Sequence, residues 1–465
     1  MTLKIVLDPA AADPLFLQIA ARVRSAIATG QINAGARLPS SRALAAQLSV
    51  ARGTIDAAYA LLAGEGAIIS NGSAGTVVSG GESVSLLAHT PFMFPATPEP
   101  TRAGPRPFQM GLPALDAFPH KLWSSLTVQA ARSLQPADFA GADPCGVPAL
   151  RQAVAAYLGV ARGIPCTAAQ ILITAGYQGA LALVRGVLVK PGDPVWMEDP
   201  GYHRTRQALE ASGARVVPIR VDRDGMRVAS GIAAAPKARL AVVTPTHQSP
   251  TGVSLSLPRR LELLSWAADN GSWILEDDYD SEFRYAGRPI PSLKSLDRGH
   301  RVLYAGTFSK VLSPSLRLGY LIVPPELAPS FNRAIRLQTL GQPVLEQMVA
   351  ATFMAKGHFA RHIRRMRALY GERRAALAAA LTARFGARVV VEMTGGGMHL
   401  LARFPGGGDD ASLLKRATAS GLAPAALSAH SESHNHGHGL LLSFTNIPAG
   451  DAPTLVDQLA TALDV

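Results

Sequence analysis

Seven short apolar runs between residues 171 and 323 constrain the fold of this 465-residue chain more than any other feature. They are Ile171-Leu172-Ile173, Val195-Trp196-Met197, Val216-Val217-Pro218-Ile219, Leu240-Ala241-Val242-Val243, Trp273-Ile274-Leu275, Val302-Leu303-Tyr304 and Tyr320-Leu321-Ile322-Val323. Each is strand-length, and helical segments intervene. Continuous apolar runs of this kind suit strands covered on both faces. The pattern predicts an α/β domain with a mostly parallel sheet over residues 108–465. Toward the C-terminus, Val389-Val390-Val391 and Leu440-Leu441-Leu442 among helical segments predict a smaller α+β lobe, roughly residues 360–465.

Residues 1–80 follow a different rhythm. Leu15, Ile19, Val23 and Ile27 recur every four residues, one apolar helical face that Gly30 can terminate. Ser40 is placed to cap a second helix through Leu44 and Leu48. Ile55, Ala58, Tyr59 and Leu62 give a third at i, i+3, i+4, i+7. Ala67-Ile68-Ile69 and Thr76-Val77-Val78 then flank Asn71-Gly72-Ser73-Ala74-Gly75, a hairpin pattern. Three helices and a hairpin make the layout of a winged helix-turn-helix. Residues 81–107 hold Pro91, Pro95, Pro98, Pro100, Pro105 and Pro107. At roughly 3 Å per residue, such a semi-rigid linker spans on the order of 80 Å. It either carries the head over a neighbouring subunit or lies as a strap on the second domain.

The net charge of +12 favours polyanionic partners. The excess is not in the head, where six Lys/Arg face four acids. Two cysteines, Cys145 and Cys166, cannot build a disulfide framework and fit a reducing cytoplasm. Asp8 and Pro9 interrupt any apolar leader, and even the run 180–189 carries Arg185, so neither a signal peptide nor a membrane span is expected.

Chemistry concentrates in three stretches. Thr307-Phe308-Ser309-Lys310 follows one of the predicted strands, with Arg317 seven residues beyond the lysine. Such a lysine suits a Schiff base to pyridoxal 5′-phosphate (PLP), the hydroxyls and arginine holding the phosphate. Glu276-Asp277-Asp278-Tyr279-Asp280-Ser281-Glu282-Phe283-Arg284-Tyr285 ends the preceding strand and offers a carboxylate to keep a pyridine nitrogen protonated. Gly176-Tyr177-Gln178 follows the first strand and supplies a small residue and backbone amides at a helix N-terminus, a phosphate cradle.

Leu38-Pro39-Ser40-Ser41-Arg42 and Val50-Ala51-Arg52-Gly53-Thr54-Ile55 resemble the GntR-type winged helix. That resemblance implies DNA contact by Arg42, Arg52 and Thr54, Arg52 meeting either a guanine edge or a phosphate. Ala51 stands where the family has Ser or Thr, and the wing lacks the usual Arg or Lys. Residues 108–465 resemble fold-type I aminotransferases. End to end, the chain resembles the MocR subgroup of GntR regulators, to which the stretches Pro245-Thr246-His247-Gln248-Ser249-Pro250-Thr251-Gly252, 276–285 and 307–320 are each specific.

The resemblance implies PLP on Lys310, Asp277 at the ring nitrogen, Tyr279 at the ring O3′ and Tyr202 stacked on the ring. Gly176, Tyr177, Gln178, Thr307, Ser309 and Arg317 would take the phosphate, and Arg204 would face an effector. It also implies a homodimer on a double-stranded operator with two half-sites. Two departures matter. The aminotransferase Asn-Pro-x-Gly is Ser249-Pro250-Thr251-Gly252, so His247, Gln248 or Ser249 must replace the asparagine. The arginine that many of these enzymes place before a Ser-Phe pair, as a substrate carboxylate clamp, is Leu441. Losing the clamp favours a PLP-dependent regulator sensing PLP or an amino compound. The intact Lys310, Asp277 and Tyr279 leave a working aminotransferase with a DNA-binding tether as the alternative.

Three further clusters carry bland readings. His430, His434, His436 and His438 suggest a flexible loop at the pocket mouth rather than a metal site. Arg361, His362, Arg364, Arg365, Arg367, Arg373 and Arg374 read as a solvated helical face, with auxiliary DNA contact as the second reading. His399 is expected to satisfy a hydrogen bond within the small lobe. No P-loop, dinucleotide-binding or H-E-x-x-H pattern occurs.

Overall fold

A computed structural model describes residues 5, 7, 8, 11, 13–70, 75–79 and 104–464, apart from 142, 288–289, 340 and 435. It divides into two compact units, Met1–Thr101 and Arg102–Val465. Most of the proline-rich linker lies outside the described residues.

In the first unit, helices α1 (Leu15–Ala28), α2 (Ser41–Leu48) and α3 (Arg52–Gly64) precede antiparallel strands β1 (Ile68–Ser70) and β2 (Thr76–Val78). The Ser40 side chain accepts from the Ala43 amide at 3.3 Å, capping α2. Ser49, at φ 54°, turns the chain between α2 and α3. Ile19, Val23, Leu44, Ile55, Leu62 and Val78 are buried together, so the predicted apolar faces form one core. Tyr59 donates to the Pro39 carbonyl at 2.9 Å and ties α3 to the entry of α2. Of the predicted hairpin turn, residues 71–74 lie outside the described residues.

The second unit is built on an eight-stranded sheet, β3 (Ile171–Thr174), β4 (Pro194–Asp199), β5 (Arg215–Asp222), β6 (Gly225–Met226), β7 (Leu240–Val243), β8 (Trp273–Asp278), β9 (Val302–Thr307) and β10 (Gly319–Ile322), in the order β3-β10-β9-β8-β7-β4-β5-β6. Strands β5, β4, β7, β8 and β9 run parallel, and β10 is antiparallel to both its neighbours. The connection from Thr307 to Gly319 carries no α-helix, only the 3-10 turn Pro314–Leu316, and β10 returns antiparallel. Alternate residues feed separate cores: Ile274 packs on one face of the sheet and Leu275 on the other. The ends of β4, β8 and β9 and the start of the helix Gly176–Leu188 therefore meet at one edge, where open α/β sheets bind ligands.

The small lobe is an antiparallel sheet of β11 (Val390–Glu392), β12 (His399–Arg403), β13 (Ala425–Ala426) and β14 (Leu440–Ser443), ordered β11-β12-β14-β13. Leu440 and Leu442 enter the main core, while Leu441 is fully buried on the opposite face. Nothing in the sequence marks residues 107–115 as part of this lobe, yet they join it. Phe108 bridges to Ser443, Ala423 donates to the Pro107 carbonyl at 2.9 Å, and Ala114 donates to the Tyr370 hydroxyl at 2.7 Å.

Three expectations are corrected. The helix His358–Phe385 is not one solvated face: His362, Arg373 and Arg374 are buried, while Arg361, Arg364, Arg365 and Arg367 stay exposed. Arg373 pairs with Asp116 and the Thr445 carbonyl, and Arg374 lies over the Tyr285 ring and donates to Thr394. The histidine-rich loop is pinned rather than free. The amides of Glu432, Ser433 and His434 donate to the Asp199 carboxylate at 2.9–3.0 Å, and His434 Nδ1 lies 2.9 Å from it. His399 bonds the Pro250 carbonyl at 2.8 Å, outside the small lobe. Among the described residues, no His, Cys, Asp and Glu group could hold a metal ion, and no helix is long and apolar enough to cross a membrane.

Candidate functional site

Lys310 follows β9 and points its Nζ at the Gly111 carbonyl, 2.7 Å away. Burial lowers its pKa against the pull of Asp280 and Asp277, which favours the neutral amine. Asp277, the penultimate residue of β8, has its pKa pushed well above the usual carboxylate range by burial and then by Asp278, with Lys310 opposing. The strand's alternation sends Asp278 the other way, onto Arg162 at 2.7 Å and the Tyr304 hydroxyl at 2.6 Å. One carboxyl is left for the pocket, and its neighbour is a structural ion pair.

Tyr279 lies with its hydroxyl 3.0 Å from His247 Nδ1, and His247 Nε2 lies 3.2 Å from the Thr394 hydroxyl. Gln248 is otherwise engaged, donating to the Pro200 and Ser249 carbonyls at 2.7 Å each. Of the three candidates to replace the missing asparagine, His247 and Ser249, whose side chain also hydrogen-bonds the phenol, face Tyr279 and Gln248 does not. Tyr202 stands half-buried; burial raises its phenol pKa first, with Arg204 opposing and Asp277 adding to the rise. Arg204 is exposed and also depresses Lys310, so its guanidinium acts on the same cavity.

Gly176, at φ 68°, opens the helix Gly176–Leu188. A Cβ on Gly319 would come within 2.8 Å of Gly176, and one on Gly176 within 3.9 Å of Ser309 Oγ. Thr307 Oγ1 accepts from the Ser309 amide at 3.1 Å. Gly176, Thr307 and Ser309 are thus brought together. Gln178 Nε2 is buried and meets no partner among the described residues, a donor aimed at nothing the protein supplies. Such a donor beside a helix N-terminus fits a phosphate group. The Tyr177 hydroxyl instead pairs with Thr205 at 3.0 Å, leaving its backbone amide as the group available there. Arg317 sits exposed in a left-handed turn at φ 50°.

Around the pocket stand His430, from the histidine-rich loop, and groups that the sequence does not announce. The Gly111 carbonyl is backbone and leaves no signature. His430 is buried against Gly201, receiving its amide at the carbonyl at 2.9 Å, with its ring 5.5 Å from that of His203. Glu198, buried at the end of β4, has its pKa raised to about 7 by burial and accepts from the Thr244 hydroxyl at 2.5 Å. Leu441 packs on Leu401 and Leu427, with Met110 and Ala425 beside them. No guanidinium can act from that position.

On the head, Arg52 is the first residue of α3, exposed, 3.5 Å from the Asp56 carboxylate. Arg42 is exposed at the start of α2, and Thr54 is half-buried in the first turn of α3. All three lie at helix N-termini, where side chains and amides can meet phosphate or enter a groove.

Fold and site together define a PLP-binding domain of the aminotransferase type accompanied by a DNA-binding head. Residues 15–78 match the family described as bacterial regulatory proteins, gntR family, and residues 124–415 match aminotransferase class I and II. The chain is 35% identical over 432 residues to the probable rhizopine catabolism regulatory protein MocR of Rhizobium meliloti, covering 90% of this chain and 87% of that protein. It is 33% identical to the HTH-type pyridoxine biosynthesis transcriptional regulator PdxR of Corynebacterium glutamicum, with 80% of each chain covered. The Pyrococcus horikoshii kynurenine aminotransferase superposes with a TM-score of 0.70 at 29% identity, covering 77% of this chain and 90% of that one. The chain belongs to the MocR-type regulators of the GntR family. It is a PLP-dependent, DNA-binding transcriptional regulator.

Proposed function

We propose that the protein is a cytoplasmic homodimer in which the state of the Lys310 pocket sets affinity for an operator of two half-sites. The effector is PLP itself or an amino compound that reacts there. The observation that carries this reading is Leu441, buried among apolar side chains at the position where many aminotransferases place the clamp arginine. PLP, when bound, supplies an electron-withdrawing aldehyde and ring. Lys310 brings the amine, Asp277 holds a proton at the ring nitrogen, and Tyr279, backed by His247, orients the ring oxygen. Tyr202 covers the ring face. Gly176, Tyr177 through its amide, Gln178, Thr307, Ser309 and Arg317 hold the phosphate. Arg204 meets the effector, and Arg42, Arg52 and Thr54 meet DNA. Without a bidentate partner for an α-carboxylate, ordinary amino acids lose a strong orienting contact.

The test pairs two measurements on the full chain. Operator affinity is expected to change with PLP occupancy by a coupling of about 1–3 kcal/mol, while steady-state transamination of common α-amino acids stays near background. Rapid turnover of any of them, with DNA binding indifferent to PLP, reverses the ranking in favour of the aminotransferase. Light scattering on the PLP-loaded protein at micromolar concentration is expected to give a dimer, as closed two-fold symmetry matches an operator of paired half-sites. A monomer there contradicts the assembly.

A further inference from the structure

Beside the cofactor pocket, and sharing His247 with it as a wall, lies a second cavity of about 410 Å³. That is within the range of small-molecule sites. Its outer walls are the end of the helix Pro148–Arg162, the segment 280–287 and the exposed arginines of the helix His358–Phe385. Lys310 and Tyr202 do not line it.

Its charge is unbalanced. Arg162 is neutralised by Asp278, but among the described residues no carboxylate pairs with Arg284, Arg364 or Arg367. Arg367 is held over the cavity by two donations to the Glu282 carbonyl, at 3.0 and 2.8 Å. Arg284 is seated by glycines: a Cβ on Gly287 would stand 2.9 Å from one terminal nitrogen, and one on Gly395 3.1 Å from the other. Its Nε is buried and meets no partner among the described residues, and the same holds for Ser281 Oγ. Of the acids that line the cavity, Glu282 is occupied, whereas Asp280 keeps one buried carboxylate oxygen without a hydrogen-bond partner among the described residues. Asp280 lies 3.1 Å from His247 Nδ1, and Glu282 accepts from the Tyr157 hydroxyl at 3.0 Å, its pKa raised to about 7 by burial and Asp278. Buried donors without partners are costly, so Arg284 Nε and Ser281 Oγ, beside the exposed cations Arg364 and Arg367, make a site that favours an anion. The remaining wall, Phe283, Ile290, Ala360 and Ile363, suits an apolar body.

We propose that this cavity binds a small organic anion, a carboxylate or phosphate ester on an apolar body, gripped by Arg284 and Ser281 with Arg364 and Arg367 at the rim. The anion would sit against His247, which also contacts Tyr279, Thr394 and Asp280, so the site abuts the cofactor pocket without being part of it.

The experiment is calorimetric titration of the full-length, PLP-loaded protein with phthalate and, separately, inorganic phosphate. Saturable binding is expected with one site per chain, phthalate binding more tightly because it fills the apolar wall. Arg284→Gln and Arg364→Gln are each expected to weaken phthalate about tenfold, with the visible absorbance of the cofactor retained. Substituting both Arg42 and Arg52 by alanine should leave phthalate binding unchanged. Should Arg284→Gln fold poorly, Arg364→Gln, at the exposed rim, carries the test. The proposal is overturned by absence of saturable heat in the wild type, by wild-type affinity in Arg364→Gln, or by loss of binding in the Arg42/Arg52 variant, which would place the anion on the head.

Discussion

Lys310→Ala is expected to remove the visible absorbance of lysine-linked PLP completely. The assignment rests on the setting of the lysine: desolvation holds its amine toward the neutral form, with Asp277 among the charges acting on it. The remaining contacts do not depend on Nζ. Gly176, Gln178, Thr307 and Ser309 stay where the helix start and the end of β9 put them. Weak, dialysable binding of PLP should therefore persist in the variant. Two spectra decide the matter, wild type and Lys310→Ala, each titrated with PLP and then dialysed. A wild-type protein that stays colourless, or a variant that keeps a non-dialysable chromophore, contradicts the assignment.

The second large effect belongs to the head. Arg52→Ala should cost roughly 1–3 kcal/mol of operator affinity if its guanidinium pairs with a base edge. Combined with Arg42→Ala, specific binding should fall below detection in a mobility shift. Losing the Arg52–Asp56 contact adds little to that cost, since both side chains are more than half exposed and such pairs contribute little. Salt provides an internal control. Where an arginine meets phosphate, its loss should lower the slope of log affinity against log salt by about 0.9; where it reads a base, discrimination between operators should relax instead. Binding indifferent to both substitutions moves the DNA surface elsewhere, with the exposed arginines of the helix His358–Phe385 the first place to look.

Much of this architecture could be read from residue order, for reasons particular to each part. Ile55, Ala58, Tyr59 and Leu62 are all buried in α3 because helical spacing alone puts them on one face. The seven apolar runs are all strands because a sheet covered on both faces leaves few polar positions within them. What could not be read depends on distant partners. Arg373 and His362 are buried only because Asp116, the Thr445 carbonyl and the Val311 carbonyl meet them there. The histidine loop is anchored by Asp199, more than 230 residues earlier in the chain. Two-residue strands such as β6 and β13 bury too little to leave a hydrophobic signature. Within the site, Lys310, Asp277 and Tyr279 were legible because their chemistry is tied to residue type. The Gly111 carbonyl and the unpartnered amide of Gln178 became visible only in three dimensions.

The contact between Lys310 and Gly111 has a consequence for how far a reaction at the amine can be felt. An ammonium or amine that points a hydrogen at this carbonyl cannot keep doing so once its nitrogen is bonded elsewhere. A carbonyl that loses its donor costs at most about 1–3 kcal/mol when fully buried, and less at the partly buried Gly111, unless the backbone moves or another donor arrives. Gly111 belongs to the first described segment after the proline-rich stretch, and Phe108 and Ala114 fasten that segment to β14 and Tyr370. The lysine thus acts as a latch pin on the very stretch of backbone where the linker ends, and withdrawing the pin loosens one of its fastenings while the others hold.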